Sequence, residues 1–338
     1  MERERREWLE LEMDYINLGK AGVKVSRICL GTAFRANLFK PDFDEAACER
    51  VIEHAIAQGI NFIDTANFYS YGRSESIVGK VLRGKRDDII LATKVRSPVK
   101  DQPGPNDTGL SRFHILREVE RSLKRLQTDH IDLYLAHHFD DSTPIDETLR
   151  AMDDLVRSGK VRYIGCCNFT AWHLCEALWR SEVLNLNGFA CVQNQYSLLN
   201  RHEVEPDLAE VCRKYGMGMM TYSPLAIGLL SGQFRHGETP PAGTPWAKNP
   251  THYARHMTAQ AQTIVDAARD IGAAHHKTPG QVAVAWLLDH PEVTSIITGP
   301  DTIEQLDDVL GALDCKLSRD ERTHLDEVSQ FQVLPRIS

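Results

Sequence analysis

Four residues that could act together on a carbonyl group stand at or just after the ends of apolar runs. Asp64 closes the run INFID, Tyr69 follows five residues later, Lys94 ends ILATK, and His137 ends IDLYLAH. A tyrosine is normally a weak acid, with a pKa near ~10. A neighbouring ammonium favours tyrosinate and lowers that value, and an aspartate would hold the lysine charged and in place. An imidazole can orient a carbonyl oxygen or relay a proton.

This set of side chains supplies a proton donor but no source of electrons. The sequence therefore predicts that a cofactor must bring the hydride for any reduction of a carbonyl. The substrate that the four residues suit is a small-molecule carbonyl or alcohol.

The elements that must position these residues are short apolar runs, continuous rather than alternating, as in parallel strands buried on both faces. Amphipathic helical segments lie between them, so we predict an α/β fold, a (β/α)₈ TIM barrel. The runs are VSRICLG (25–31), INFIDT (60–65), DIILATKV (88–95), IDLYLAHH (131–138), VRYIGCC (161–167), FACVQNQ (189–195), GMMTYS (218–223) and SIITG (295–299).

A doubly wound sheet is the alternative fold, but the GxGxxG fingerprint is absent after the first run, which continues as CLGTAFRAN. We predict one barrel domain over residues 14–338, preceded by a polar extension over residues 1–13. The Gly/Pro-rich stretch 224–256 is longer than an ordinary connecting loop and is predicted to be functional.

The active site of such a barrel lies at the carboxyl ends of its strands. Polar side chains at these ends lose hydration unless they meet one another or a ligand. Besides the four residues above, this position holds His138, Cys167, Asn168, Gln193, Tyr222 and Ser223. Because neighbours on a strand point to opposite sides, we expect His137 at the site and His138 at its rim.

Composition excludes several classes of protein. The chain of 338 residues has a formal net charge of −8 and a pI of about 6.0, which argues against a nucleic-acid partner. No apolar run approaches the ~20 residues of a membrane helix, and the charged N-terminus is no signal peptide, so a cytoplasmic protein is expected. Eight cysteines without a CxxC pair indicate reduced thiols. Adjacent histidines lack a third ligand at suitable spacing, so no metal site is expected.

Several motifs, in order, resemble the aldo-keto reductases from about Leu18 to Leu325. They are LGKAGVKVSRICLGT, GINFIDTANFYSYGRSESIVG, LATKV, IDLYLAHHFD, RYIGCCNF, VQNQYSLLNR, TYSPLAIGLLSG and SIITGPDTIEQL. The resemblance implies an NAD(P)(H)-dependent oxidoreductase without a Rossmann domain. It also implies an N-terminal β-hairpin ahead of the barrel.

Carried over residue by residue, the resemblance makes Tyr69 the general acid, Asp64 and Lys94 its tuning pair, and His137 the group that orients the substrate. The cofactor residues that it implies are Gly31, Thr32, Asp64, Cys167, Asn168, Gln193, Tyr222, Ser223, Leu225, Gly228, Gly299, Asp301, Gln305 and Asp308. Cys167 departs from the family, where serine is usual.

Substrate specificity is expected from loop 33–42, loop 226–256 and the tail 331–338. The side chains predicted to form the walls of a substrate pocket are Phe34, Phe39, Phe68, His138, Phe139, Trp246 and Phe331.

The choice of cofactor is open at this point. The resemblance implies NADP(H), and the motif from Thr302 to Gln305 predicts a capping box at a helix start, which suits a 2′-phosphate. However, many aldo-keto reductases have a basic residue where this chain has Asp301. Basic residues are also common in that family at the positions of Ile227 and Gln233. These departures favour NAD(H), unless Asp301 caps its helix and faces solvent.

Two further functions are compatible with the same residues. One is an NAD-linked sugar or alcohol dehydrogenase that works towards oxidation. The other is a regulatory subunit that binds a cofactor and a partner protein without turnover, as some relatives on ion channels do. The chain could act as a monomer or a homo-oligomer.

Overall fold

Eight parallel strands close into a barrel, as the continuous apolar runs predict. The computed structural model describes residues 13–34 and 44–331. A short antiparallel hairpin, β1 (Tyr15–Asn17) and β2 (Lys24–Ser26), comes first. The barrel strands pair in chain order, and the last closes on the first: β3 (Ile28–Gly31), β4 (Phe62–Asp64), β5 (Ile90–Val95), β6 (Ile131–Ala136), β7 (Val161–Cys167), β8 (Cys191–Gln195), β9 (Gly218–Tyr222) and β10 (Val293–Thr298).

Helices alternate with these strands and pack on the outside of the barrel. They are α1 (Glu45–Ala57), α2 (Arg73–Val81), α3 (Arg112–Leu126), α4 (Ile145–Arg157), α5 (Ala171–Val183), α6 (Leu208–Tyr215), α7 (Pro250–His256), α8 (Ala259–His275), α9 (Pro279–Leu288), α10 (Ile303–Leu310) and α11 (Arg319–Val328). This is the predicted (β/α)₈ barrel with its N-terminal hairpin.

Capping residues set where the helices begin. Ser111, predicted as a cap, accepts a hydrogen bond from the backbone N–H of His114 at the start of α3. The end of α3 also follows from local chemistry, because Gln127 adopts a left-handed conformation there (φ 55°). Side chains that accept free N–H groups of the first turn typically stabilise a helix by ~1 kcal/mol.

The first predicted strand, 25–31, is wrong in its extent. The chain bends at Arg27, so Val25 and Ser26 belong to the hairpin and only Ile28–Gly31 enters the barrel. The side chain of Ser26 donates to the backbone oxygen of Ile28 (2.6 Å) and satisfies an acceptor at the bend. A continuous apolar run does not reveal such a bend, because both parts of it are buried.

The hairpin closes the amino-terminal end of the barrel. Leu18 and Val25 are fully buried and pack in the barrel interior with Phe62 and Leu133. Gly19 has a φ of +57°, and a Cβ at this position would lie 2.3 Å from the backbone nitrogen of Gly218. The turn therefore requires glycine, and the opposite end of the barrel is left open.

The predicted functional stretch 224–256 is not structureless. It holds a 3₁₀ turn at Leu229–Ser231, another at Pro245–Lys248, and α7. Trp246 is buried and its indole N–H donates to the backbone oxygen of Ile227 (2.9 Å). This bond ties the second half of the stretch to the first half, which borders the open end of the barrel.

Two predictions lie mostly or partly outside the described residues. Of the predicted extension 1–13, the structure describes Met13, which packs on the core. Of loop 33–42 it describes residues 33 and 34, and of the tail it describes Phe331, so Phe39 is not described. None of the helices described is both long and apolar enough to cross a membrane.

Candidate active site

The four residues predicted to act on a carbonyl meet at the open end of the barrel. Asp64 ends β4, Lys94 lies in β5, and His137 directly follows β6. Tyr69 begins a 3₁₀ turn, Tyr69–Gly72, that leads from β4 into α2. Asp64, Tyr69 and His137 line a cavity of about 680 Å³, which is within the usual size range of ligand pockets.

Lys94 lies beneath the cavity and connects three acceptors. Its Nζ donates to Asp64 Oδ2 (2.5 Å) and to the backbone oxygen of Thr65 (2.8 Å), and it lies 3.4 Å from the hydroxyl of Tyr69. Lys94 is fully buried, and Asp64 is 2% exposed. A buried charge is tolerated when it is paired and hydrogen-bonded, so this geometry holds an ammonium directly beside the tyrosine.

Lys94 stays protonated at every physiological pH. Burial by itself would lower the pKa of Lys94, but the charge of Asp64, together with the Tyr69 side chain, outweighs burial and raises it. The ammonium is therefore a permanent positive charge at the base of the cavity.

The pKa of Tyr69 is raised, whereas the sequence predicted a lowered value. Burial is the largest cause, and it outweighs the opposing effect of Lys94. The prediction considered the ammonium alone, and the desolvation of a phenolate depends on the packing around it. Tyr69 therefore carries its proton at neutral pH, and Lys94 would stabilise the phenolate that forms when this proton is given away.

His137 is neutral at physiological pH. Burial lowers its pKa well below the ordinary value, and the positive charge of Lys94 lowers it further. Its ring lies near Phe68, with 5.3 Å between ring centroids, and 6.1 Å from the ring of Tyr69. A neutral imidazole at this place can share a hydrogen bond with a substrate oxygen without adding charge.

His138 does not point away from His137, as the strand alternation suggested. The strand β6 ends at Ala136, so alternation no longer applies, and the two imidazoles stack with 5.3 Å between ring centroids. Both rings line the cavity. His138 is the more exposed of the two, which agrees with its predicted place at the rim.

The turn that carries Tyr69 has an unusual backbone, which the sequence did not reveal. Ser70 and Tyr71 both adopt positive φ values, 48° and 56°, and Gly72 follows at 87°. Non-glycine residues in this region cost roughly 1–2 kcal/mol each. The hydroxyl of Tyr71 donates to Asp101 (2.5 Å) across the turn.

Most residues predicted to bind the cofactor line the same cavity. On the wall lie Gly31, Asp64, Asn168, Gln193, Tyr222, Ser223, Leu225, Gly228, Gly299, Asp301, Gln305 and Asp308, with Ile227 and Gln233 beside them. Two predicted residues lie elsewhere. Thr32 is fully buried and bonds to the backbone oxygen of Asp64 (3.1 Å) and to Ser74 (2.8 Å). Cys167 is fully buried in the barrel interior.

The polar wall between the two ends of the cavity is already ordered by its own hydrogen bonds. Asn168 has a φ of 57°, and its amide donates to the backbone oxygen of His137 (2.9 Å). Its Oδ1 accepts from the hydroxyl of Tyr222 (2.7 Å). Gln193 donates to Asp64 Oδ1 (2.9 Å). Gln193 is thus tied to Asp64, and Asn168 links Tyr222 to the backbone of His137.

The predicted substrate walls are partly corrected. Phe68 and His138 line the cavity, but Phe34, Phe139 and Trp246 are not among the described residues that do. Phe34 is 1% exposed and packs in the core. Phe139 stacks on His173, with 3.8 Å between ring centroids, in the shell outside the barrel. Trp246 supports the wall through Ile227 and does not form it.

The sequence missed further wall residues: Ala33, Pro224, Ser231, Phe234, Pro245, Ile297, Thr298, Pro300 and Val309. Ile297 and Thr298 end β10, so the rule that strand ends form the site would have found them. Ala33, Ser231, Phe234 and Pro245 lie in the two loops predicted to set specificity, although they were not singled out there. Pro224, Pro300 and Val309 lie where the sequence pattern carries no comparable signal. Among the described residues, no three His, Cys, Asp or Glu side chains gather as metal ligands would.

The part of the cavity wall beside α10 is acidic. Asp301 precedes this helix and Asp308 lies in its last turn, and both line the wall together with Gln305. Among the described residues that line the cavity there is no lysine or arginine. An anionic group of a ligand would therefore find no lysine or arginine among these described lining residues.

Comparison with known proteins agrees with this geometry. A sequence model described as "Aldo/keto reductase family" matches residues 27–330. The uncharacterized oxidoreductase YrpG of Bacillus subtilis (strain 168) is 41% identical over 325 residues, which cover 94% of this chain and 96% of that protein. Probable voltage-gated potassium channel beta subunits of Arabidopsis thaliana and Oryza sativa subsp. japonica are 34% and 33% identical over 306 residues, 89% of this chain and 92% of each relative.

Proposed function

Because the chain belongs to the aldo/keto reductase family, we propose that it transfers a hydride between a nicotinamide dinucleotide and a small carbonyl or alcohol. The observation that carries this proposal is the position of Tyr69. Its hydroxyl lies 3.4 Å from the buried ammonium of Lys94, in a cavity wall shared with Asp64 and His137. A proton donor, a charge that stabilises its anion and a neutral imidazole therefore converge on one place.

In the reducing direction, the bound cofactor supplies the hydride that the carbonyl carbon accepts. Tyr69 gives its hydroxyl proton to the carbonyl oxygen, so that the C=O double bond becomes a C–H and an O–H bond. The phenolate left on Tyr69 is stabilised by Lys94 and later regains a proton from solvent. His137 holds the carbonyl oxygen within reach of Tyr69. Oxidation of an alcohol follows the same steps in reverse.

The residues of the cavity suit a dinucleotide. The nicotinamide would lie beside Tyr69, Asn168, Gln193 and Tyr222, because only this end offers a proton donor. The wall then continues through Ser223 and Leu225 to the start of α10. A cavity of about 680 Å³ with polar groups beside Tyr69 and other polar groups beside α10 matches a ligand with two polar heads.

Replacing Tyr69 with phenylalanine tests this function. Tyr69→Phe should lower kcat for aldehyde reduction by ~10² to 10⁴-fold, the usual contribution of general acid catalysis. Binding of the dinucleotide, followed by tryptophan fluorescence, should change little. Tyr215→Phe is a matched control, since Tyr215 is exposed at the end of α6 and outside the cavity wall. A Tyr69→Phe variant with more than a tenth of wild-type turnover would exclude Tyr69 as the proton donor.

A second candidate function is a regulatory subunit that binds the cofactor without metabolic turnover. The similarity to two probable voltage-gated potassium channel beta subunits favours it. The complete set of Asp64, Tyr69, Lys94 and His137 is compatible with both functions. Turnover of a series of aldehydes and alcohols with each dinucleotide decides between them and also reveals whether reduction or oxidation, as in a sugar or alcohol dehydrogenase, is preferred.

For the cofactor itself we propose NAD(H) in preference to NADP(H). With the nicotinamide beside Tyr69, the adenosine would lie against α10, where Asp301 and Asp308 line the wall. A 2′-phosphate carries up to two negative charges. An aspartate ~6 Å away costs about 1–3 kcal/mol per charge pair at an intermediate effective dielectric. Ile227 and Gln233 on the same wall offer no compensating charge.

The N-terminus of α10 is also occupied by the chain's own side chains. Thr302 Oγ1 accepts from the backbone N–H of Gln305 (3.3 Å), as the predicted capping box requires. The Gln305 side chain accepts from the N–H of Asp301 (2.8 Å) instead of that of Thr302, so the predicted box is only half formed. Hydrogen bonds from its own backbone N–H and from Thr302 lower the pKa of Glu304. The side-chain oxygens of Thr302 and Gln305 already accept N–H groups at this helix start that a phosphate would need.

Asp301→Arg tests this preference. The change removes a like charge and adds a cation, so both effects favour NADPH. The ratio of NADPH to NADH affinities, from Kd values at low salt, should rise tenfold or more, which is ~1.4 kcal/mol. Asp320→Arg gives the same change of net charge in the first turn of α11, away from the cavity, and should leave the ratio unaltered. A wild type that binds NADPH a hundredfold more tightly than NADH, with no effect of Asp301→Arg, would refute the proposal.

A further inference from the structure

Gln193 makes a hydrogen bond that crosses the barrel. It lies on β8 and is 3% exposed, and its Nε2 donates to Asp64 Oδ1 at 2.9 Å. In the closed order of strands, β8 and β4 are four positions apart and therefore stand opposite each other. A single side chain thus joins the strand that carries Asp64 to the far wall of the barrel.

This bond affects how Asp64 shares Lys94 with Tyr69. Asp64 Oδ2 accepts from Lys94 (2.5 Å), while Oδ1 accepts from Gln193. If Oδ1 lost its donor, the buried carboxylate would hold its remaining partner, Lys94, more strongly. The contact from Lys94 to Tyr69, at 3.4 Å, is the longest of the three that the ammonium makes. It would be the first to lengthen.

The carbonyl oxygen of the Gln193 amide is available to a ligand in the cavity. An amide side chain has one carbonyl acceptor and one N–H₂ donor group. The N–H₂ group is used at Asp64, and Gln193 lines the cavity. Its Oε1 is therefore the atom that it offers to a ligand. An N–H group bound at Oε1 polarises the amide and strengthens the hydrogen bond that Nε2 donates.

We propose that Gln193 is a positioning residue for the proton donor. Its Nε2 holds Asp64 from across the barrel while its Oε1 receives the carboxamide N–H₂ of the cofactor, an assignment that rests on the function proposed above. Binding of the cofactor is then transmitted through Gln193, Asp64 and Lys94 to Tyr69. Binding of the hydride donor thereby changes the acidity of the proton donor, Tyr69.

The charged and titratable groups that act on Tyr69 come from four strands. They are Asp64 of β4, Lys94 of β5, His137 after β6, and Cys167 of β7. The pKa of His137 is lowered and that of Cys167 is raised, in each case chiefly by burial. Both are therefore neutral near pH 7, so a change at Gln193 reaches Tyr69 through Asp64 and Lys94.

The titration of Tyr69 in the cofactor-free protein provides the test. Uniform incorporation of 3-fluorotyrosine gives one fluorine resonance per ring, and the signal lost in Tyr69→Phe identifies Tyr69. We expect Gln193→Met to raise its titration midpoint by half a pH unit or more. Gln193→Asn, one methylene shorter, should do the same if the methionine variant fails to fold. Gln195→Met, on the same strand but outside the cavity wall, is the control.

A double-variant cycle isolates the path. In an Asp64→Asn background, Gln193→Met should produce no further shift, because its route to Tyr69 has been removed. An equal shift in both backgrounds, or no shift in either, would overturn the proposal. Addition of NAD⁺ to the unsubstituted protein should move the Tyr69 resonance, and Gln193→Met should abolish at least half of that change. If Tyr69→Phe remained an active reductase, the proposed function would fail, but these titrations would still decide the role of Gln193.

Discussion

Lys94→Met should separate two effects of the ammonium, one on the reaction and one on stability. In the proposed reaction, Lys94 stabilises the charge that develops on Tyr69 across 3.4 Å. At an effective dielectric of ~20, a full charge at this distance is worth ~5 kcal/mol. With about half a charge in the transition state, the loss is ~2.4 kcal/mol, or roughly 50-fold in kcat.

Stability should fall at the same time. Methionine leaves Asp64 buried without its cation, and removal of one partner from a buried ion pair typically costs ~3–5 kcal/mol. The double variant Asp64→Asn/Lys94→Met has no buried charge at this place. We expect it to recover most of the free energy of unfolding while its kcat stays low.

The assay combines urea denaturation with single-turnover reduction of an aldehyde at saturating cofactor. Lys277→Met is the control, because Lys277 also pairs with an aspartate, Asp314 (2.5 Å), but does not line the cavity. If the double variant regained activity along with stability, the rate loss in Lys94→Met would be a folding defect. The charge argument would then be refuted.

Two further predictions concern the core and the pH profile. Arg125 lies between the buried carboxylates of Glu75 and Glu118, so Arg125→Met should lower the free energy of unfolding by ~3–5 kcal/mol. The same change at the more exposed Arg121 should cost less than ~1 kcal/mol in urea denaturation. Because burial raises the pKa of Tyr69, single-turnover reduction should remain constant from pH 7 to 9 and decline above ~10 as the proton is lost. A decline between pH 7 and 8 would show that another group donates the proton.

The fold and the catalytic residues could be predicted from sequence because both follow from one-dimensional patterns. A strand buried on both faces is a continuous apolar run, and the polar residue that ends it stands at the open end of the barrel. Asp64 obeys this rule, and Lys94 lies one residue before the end of β5. The bend at Arg27 was missed because the residues on both sides of it are equally apolar.

Other properties depend on three-dimensional packing, which local sequence patterns do not show. An aromatic residue in a loop can face the cavity, as Phe68 does, or stack in the outer shell, as Phe139 does on His173. The sequence around Phe68 and around Phe139 does not distinguish these two outcomes. The pKa of Tyr69 was predicted in the wrong direction for a related reason, since desolvation is set by every neighbour and not by Lys94 alone.

Different charges along the cavity wall serve its two proposed tasks, proton transfer and the choice of dinucleotide. Lys94 is held by Asp64 and Thr65 beside Tyr69, so its positive charge would serve the proposed transfer of a proton. Beside α10, Asp301 lines a wall that has no cation among its described residues, so charge there would act on the proposed choice of dinucleotide. Sites that share no partner usually contribute additively. Substitutions at Asp301 should therefore change Kd values for the two cofactors without moving the pH profile of the reaction, whereas substitutions at Gln193 should change both.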